Sequence, residues 1–221
     1  MEFLKSKIFY NFDINILEFL IDENVYCPEE DSLFFADFVI EYLSNYFKLE
    51  KKYFKQRKNS RTIENILEVG CGCGFLSIII YKFFEKNLGK DVDRMKFVAV
   101  DINRKSIENT KINAKRHEAK ILVKYSNLFE NIDEKFDLII FNAPYLPVEE
   151  DYSYSIFQKG ENIVNKFLID AKEFMNDNAI ILLLVSSITP IRIPDSYTAR
   201  IIKRKKIDWE ELRIYEIKLK L

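Results

Sequence analysis

The 221-residue chain predicts an α/β fold: a mostly parallel, twisted sheet with helices on both faces and a C-terminal antiparallel hairpin. Three observations predict it. Short apolar, β-branched runs alternate with stretches of helical length, the pattern of successive βαβ units. Several of those runs end in a polar group or a glycine turn, at Glu68–Gly70, Asp101 and Asn142, and ligands of open α/β sheets bind at such carboxyl ends. After Ser187 the alternation stops, Pro190 and Pro194 interrupt the chain, and two strand-like runs follow.

The elements follow in order. Residues 1–24 hold Ile14, Ile16, Leu17, Phe19, Leu20 and Ile21 in a pattern that fits either a docking helix or an added strand. Ser32 reads as the cap of a helix reaching about Phe47, with Leu33, Phe34, Val39, Ile40 and Leu43 on its apolar flank. A polar linker, Lys48–Arg61, leads into the strand Ile63–Val69, which a glycine-rich turn joins to a helix over Phe75–Asn87. The strand Phe97–Asp101 pairs with the helix Arg104–Arg116; Ile121–Tyr125 follows; Phe136–Asn142 pairs with the helix Asn162–Met175; and Ala179–Val185 is a core strand. Thr198–Lys205 and Glu211–Leu221 read as the closing hairpin, with less cover on one sheet face where a helix is missing. In the last strand Leu212 and Ile214 are followed by Ile217, Leu219 and Leu221, a change of phase that suggests a bulge near Tyr215. The length suits one substantial core, so residues 1–221 are expected to form a single domain, with 1–60 as an N-terminal extension and 61–221 as the binding core.

Composition narrows the function. With 34 basic and 35 acidic residues the formal charge is −1, so no global field draws the protein to nucleic acid or membrane. The charge-rich segments Lys48–Lys58 and Arg200–Lys206 read as solvated faces, and no apolar run approaches the roughly 20 residues that span a bilayer. Three cysteines without a secretory signal point to a reducing, cytoplasmic setting. Cys71 and Cys73 are too close to bridge comfortably and His117 is the only histidine, so no metal site is expected. His117 follows a charged helix and reads as a surface residue rather than a base.

The run Phe136–Leu146 ends in Asn142, a turn locked by Pro144, and the ring of Tyr145. That layout presents one carboxamide and one flat face to a planar nitrogen; a plain strand followed by a proline turn is the other reading. Upstream, Gly70, Gly72 and Gly74 allow close approach of a nucleoside, while Phe75 stands where a dinucleotide fingerprint needs its last glycine. Glu68 also disfavours a phosphate and favours a cationic amino-acid moiety. Asp101 can accept both hydroxyls of a ribose, and Asn127–Leu128, in the loop after Ile121–Tyr125, offers an amide to an adenine edge.

This ordered set, Glu68-x-Gly70-x-Gly72-x-Gly74, Asp101, Asn127–Leu128 and Asn142–Ala143–Pro144–Tyr145, resembles a Rossmann-like class I S-adenosylmethionine-dependent methyltransferase with the Asn-Pro-Pro-Tyr signature. Val25–Tyr26–Cys27–Pro28–Glu29–Glu30–Asp31–Ser32 is similar to the Val-Tyr-x-Pro-x-Glu-Asp-Thr segment of the HemK-type protein-glutamine methyltransferases, archaeal and eukaryotic branch. The likeness runs from about Val25 to the C-terminus. Ala143 replaces the first Pro of the signature, Asn127 stands where an acid is usual, Ser32 where Thr is usual, and the glycine-rich stretch after the signature is reduced to Gln158–Lys159–Gly160. Ala143 still supplies a backbone carbonyl, and Pro144 pushes it towards the extended region.

The resemblance implies S-adenosyl-L-methionine as cofactor, with Glu68 on its methionyl or ribose side, Asp101 on the ribose diol, Asn127 and Leu128 at the adenine and Ser32 at the methionyl end. It implies that Asn142, Ala143, Pro144 and Tyr145 form the catalytic loop, with Asn142 also bordering the cofactor. It implies as substrate the glutamine of the Gly-Gly-Gln loop of a translation release factor, and a small zinc-binding activator subunit covering an exposed apolar sheet edge. A nucleic-acid base amine, a lysine, or a catalytically silent binding role are the alternatives.

Overall fold

The computed structural model describes residues 4–12, 15–53, 63–144 and 163–220. Tyr145 and Gln158–Gly160 therefore lie outside the described residues. In chain order the elements are β1 (Leu4–Phe12), β2 (Asn15–Asp22), α1 (Glu30–Tyr53), β3 (Asn65–Val69), α2 (Phe75–Leu88), β4 (Lys96–Asp101), α3 (Arg104–Arg116), β5 (Leu122–Tyr125), β6 (Phe136–Asn142), α4 (Ile163–Ala171), β7 (Met175–Ser186), β8 (Tyr197–Ile207) and β9 (Glu210–Leu219).

Seven strands form one sheet in the order β5-β4-β3-β6-β7-β9-β8. The five from β5 to β7 are parallel, and β9 runs antiparallel to both β7 and β8. Strand order reverses at β3, which opens a crevice beyond the carboxyl ends of β3 and β6. Alternation along the buried strands sends Ile66, Leu138, Ile140, Leu182, Leu184, Leu212 and Ile214 to the face covered by α1 and α2. Leu67, Val69, Ile139, Phe141, Ile181, Leu183 and Ile217 go to the face covered by α4. No helix among the described residues is long and apolar enough to cross a membrane.

Several expectations are corrected. Helix α1 begins at Glu30, with the Leu33 N–H donating to the Glu29 carbonyl at 3.0 Å, so Ser32 lies in its first turn and is not the cap. Pro28 ends the extended approach, and Glu30 and Asp31 place negative charge at the positive end of the helix dipole. The helix also runs through Tyr53, into the stretch expected to be linker. At the other end of the chain, β9 carries no bulge: its register with β7 is unbroken from Leu212 to Lys218. The irregularity lies across from it in β8, between Ile201 and Lys203. What looked like a phase change is Glu216, which keeps the phase of Leu212 and Ile214 but is charged. It is buried because Tyr42 Oη donates to it and Arg200 Nε pairs with it at 2.9 Å. The face with no helix after β7 is not bare either, since Ile191 and Ile193 from the connecting segment pack onto its core.

Strands β1 and β2 pair antiparallel and, among the described residues, only with each other. Side chains of α3 bond the edge of β2 that faces away from β1. Asn113 Oδ1 accepts from Leu20 N at 2.9 Å, Asn109 Oδ1 accepts from Asp22 N at 2.9 Å, and both amide groups donate to the Leu20 carbonyl. His117, half-buried against Phe19, continues the row with its ring nitrogen 2.9 Å from the Glu18 carbonyl. A buried strand edge must be hydrogen-bonded, and here helix amides do what a third strand would. Asn113 Nδ2 also donates to Cys73 O at 2.8 Å, which ties the hairpin to the glycine-rich turn. An Asn113→Leu variant, which keeps the shape and orphans Leu20 N and Cys73 O, is expected to lose about 2–4 kcal/mol of stability. Thermal denaturation followed by circular dichroism should show a Tm about 5–10 °C lower.

Candidate active site

Strand register brings the polar tips together. Val69 of β3 is level with Val100 of β4 and with Phe141 of β6, so Gly70, Asp101 and Asn142 are the next residues at three adjacent tips. With strands about 4.8 Å apart, the outer two are about 10 Å from each other, the span of a nucleoside.

The turn after β3 is left-handed at Gly70, Gly72 and Gly74, with φ of 69°, 54° and 83°. The glycines serve different ends. A Cβ on Gly74 would come within 2.9 Å of Thr110 Cγ2, so α3 packing forbids a side chain there. A Cβ on Gly72 would meet nothing within 4 Å; that position is open to a ligand. Gly74 precedes α2 without a side chain to cap it, and Glu68 caps instead, accepting from Ser77 N at 2.9 Å and from Ser77 Oγ. Glu68 is thus buried beneath the turn.

Burial pushes the Glu68 carboxyl up to about 8, with the Ser77 bonds opposing the shift. Because the folded form holds this proton more tightly than the unfolded form, its contribution is fully present below the ordinary 4.5 and is lost as pH rises towards about 8. A neutral Glu68→Gln variant lacks that dependence. Its Tm, measured from pH 5 to pH 8 against that of the unsubstituted protein, is expected to gain steadily on it.

Asp101 is held on both oxygens: Gly72 N donates to Oδ2 at 2.9 Å and Asn103 N to Oδ1 at 2.8 Å. Burial pushes its carboxyl up and those N–H bonds pull it back. The Ser106 side chain and the Ile102 backbone N–H also bond this carboxylate. Asn127 follows β5 and donates to Glu130 Oε1 at 2.8 Å. Leu128 is left-handed, with φ 52°, and buried, an uncommon state for a non-glycine residue. Ser126 Oγ fixes it by donating to its carbonyl at 2.8 Å.

At the tip of β6 the amide of Asn142 donates to Asp31 Oδ2 at 3.0 Å and to Ser32 Oγ at 3.3 Å. An ionised carboxylate only accepts, so the nitrogen faces Asp31 and the oxygen faces away. That oxygen, Oδ1, is buried and has no hydrogen-bond partner among the described residues. Ala143 N donates to Leu184 O at 3.1 Å, anchoring the tip to β7, and Pro144 is exposed beyond it.

The family described as "Methyltransferase small domain" matches residues 52–192. The chain belongs to this family. It is an S-adenosylmethionine-dependent methyltransferase with the seven-stranded fold of that class. The methyltransferase is 28% identical over 216 residues to a Methanocaldococcus jannaschii protein named "Putative protein N5-glutamine methyltransferase", covering 91% of this chain and 95% of that one. It is 30% identical over 208 residues to a bifunctional methyltransferase of Rickettsia bellii, covering 81% of this chain and 35% of its relative. Among solved structures, a Thermus thermophilus 16S rRNA N2 G1207 methyltransferase in complex with AdoMet and guanosine aligns with TM-score 0.59 at 12% identity, over 97% of this chain and 51% of that one. A ribosomal protein L11 methylase of Lactobacillus delbrueckii subsp. bulgaricus aligns with TM-score 0.55 at 17% identity, over 91% and 84%.

Most of the sequence-predicted residues fall in two groups. Gly70, Gly72, Asp101, Asn142 and Ala143 border the crevice mouth on neighbouring strand ends, with Asn127 and Leu128 beyond β5. Glu68 and Gly74 serve the turn from below. Ser32 sits against Asn142. Sequence reading singled out neither Asp31 nor Tyr26, whose hydroxyl donates to Asp31 Oδ1 at 2.8 Å, although both stand in the N-terminal segment that carried the resemblance.

Proposed function

We propose that this methyltransferase methylates a side-chain amide nitrogen, that of the glutamine in the Gly-Gly-Gln loop of a translation release factor. The observation that carries the proposal is the unpartnered, buried Oδ1 of Asn142. A buried acceptor without a donor costs free energy, and an N–H-bearing substrate at the strand tip would satisfy it. The name of the archaeal relative, similar over nearly the whole of both chains, supports a glutamine acceptor.

The residues present fit the cofactor. Asp101 would take the ribose hydroxyls, Gly70 and Gly72 would admit the nucleoside against backbone, and Asn127 with the left-handed Leu128 would border the adenine. Glu68, Gly74 and Ser32 would support the methionyl side. S-adenosylmethionine, when bound, supplies a methyl group on a positively charged sulfur. An amide nitrogen is a poor nucleophile because its lone pair is shared with its carbonyl. Asn142 Oδ1 and the Ala143 backbone oxygen would accept its two N–H bonds, aim the lone pair at the methyl carbon, and stabilise positive charge as it develops. Pro144 and Tyr145 would shape the loop, the ring of Tyr145 stacking on the planar amide. Residues 1–221 would act as one unit in the cytoplasm, with 1–60 carrying the segment that holds Asn142.

On the edge strand β5, Leu122 and Tyr125 are exposed, the kind of apolar edge that a small zinc-binding activator subunit would cover. Methylation of an exocyclic base amine is the second reading, favoured by the fold shared with the ribosomal RNA enzyme. Against it, four of the five cations of β8 are engaged: Arg200 with Glu216, Lys203 with Glu41, Arg204 with Glu211 and Lys205 with Glu30.

Labelled S-adenosylmethionine offered with a release factor, its Gln→Asn variant, or bulk RNA separates these readings. Label is expected on the release factor and not on the variant, and mass spectrometry should place it on the glutamine amide rather than on a lysine. Label on RNA alone would overturn the proposal.

A further inference from the structure

We infer that Asp31 is a positioning residue of the methyl transfer: it locks the Asn142 amide with Oδ1 towards the acceptor nitrogen and, as an anion, strengthens that oxygen as an acceptor. The inference rests on the functional reading above for what Asn142 does, but its geometry stands by itself. Asp31 is buried in the first turn of α1, on the Nδ2 side of the Asn142 amide and not the Oδ1 side. Three donors converge on its carboxylate. Asn142 Nδ2 reaches Oδ2 at 3.0 Å, and Tyr26 Oη and Ser32 Oγ reach Oδ1 at 2.8 and 3.3 Å.

An asparagine side chain turned by 180° about its last bond fills the same space and exchanges donor for acceptor. At a site that must accept N–H bonds, the flipped amide would present its own N–H groups to the substrate and oppose catalysis. Among the described residues, only an obligate acceptor behind Nδ2 excludes the flip, and Asp31 is one. Ser32 Oγ, the other neighbour of Nδ2, can donate or accept and does not decide the matter. The bond from Nδ2 to a charged acceptor also draws electron density towards Oδ1, which strengthens its bond to an N–H that is gaining positive charge. Tyr26 and Ser32 hold the carboxylate in place, so the N-terminal segment completes a site whose other parts belong to the sheet.

Asp31→Asn is the decisive substitution, because the amide it introduces can donate to Oδ1 of a flipped Asn142. With the acceptor that the unsubstituted enzyme methylates, kcat is expected to fall about 10²-fold, as for a small misplacement of reacting groups. The calorimetric Kd for S-adenosylmethionine should stay within about threefold, and Asp31→Glu should restore part of the rate. In an Asn142→Ala background the same Asp31→Asn change should cost less than about threefold, since a residue acting through Asn142 has nothing left to act on. A full additional loss in that background would mean that Asp31 acts by some other route and would overturn the inference. Nuclear magnetic resonance provides a readout without any acceptor. The Asn142 side-chain amide, assigned by its disappearance in Asn142→Ala, is expected to exchange slowly with solvent and to lose that protection in Asp31→Ala. Unchanged protection would also overturn the inference, whereas RNA methylation by the unsubstituted enzyme would overturn only the glutamine reading.

Discussion

Asn142→Ala is expected to reduce kcat by about 10²–10³-fold while leaving most of the affinity for S-adenosylmethionine. That is the loss typical when one preorganised electrostatic partner of the transition state is removed. The truncation deletes the buried oxygen that lacks a partner among the described residues, so little ground-state bonding is lost with it. It does orphan Asp31, which keeps its bonds from Tyr26 and Ser32, and the fold should tolerate the change. Single-turnover kinetics at saturating cofactor, with the binding constant measured by calorimetry, separate the two effects. If cofactor affinity falls as far as turnover does, Asn142 belongs to the cofactor site and not to the chemistry.

The opposite division is expected for Asp101→Ala. Its carboxylate receives Gly72 N and Asn103 N at the carboxyl end of β4, beside the crevice mouth. Hydrogen bonds to a charged group contribute about 1.5–3 kcal/mol each, so losing two to a ribose diol should raise the cofactor Kd by about 10²–10⁴-fold. The turn also loses its anchor at Gly72, a residue in the left-handed region, and should sample other conformations. Asp101→Asn, with one acceptor left, should fall between the two. At saturating cofactor the Asp101→Ala enzyme should recover much of its kcat, and an equal loss of affinity in Asn142→Ala and Asp101→Ala would contradict this division of roles.

Much of the core was legible because buried parallel strands have a strong local signature. Phe136–Asn142 and Arg104–Arg116 were predicted with the bounds the structure shows, and the hairpin after Pro194 was expected as well. Residues 1–24 were not settled, because their apolar positions fit a docking helix or an added strand equally well; the edge that Asn109 and Asn113 offer to β2 is not a local property. The apparent phase change in β9 misled for a similar reason. Burying Glu216 is tolerable because it is paired with Arg200 and with Tyr42, the latter 174 residues earlier in the chain.

The sequence by itself determined the parallel-sheet architecture and the residue types at the strand tips, since hydrophobic period and turn chemistry are local properties. It also carried the likeness to a methyltransferase. Only the tertiary structure decided how each of those residues is bonded: Glu68 turns inward to cap α2, while Asn142 directs its amide nitrogen to Asp31 and leaves its buried oxygen without a partner among the described residues. The direction of a side-chain amide is set by whichever donor or acceptor lies behind it. For Asn142 that group is Asp31, 111 residues away along the chain and 3.0 Å away in space.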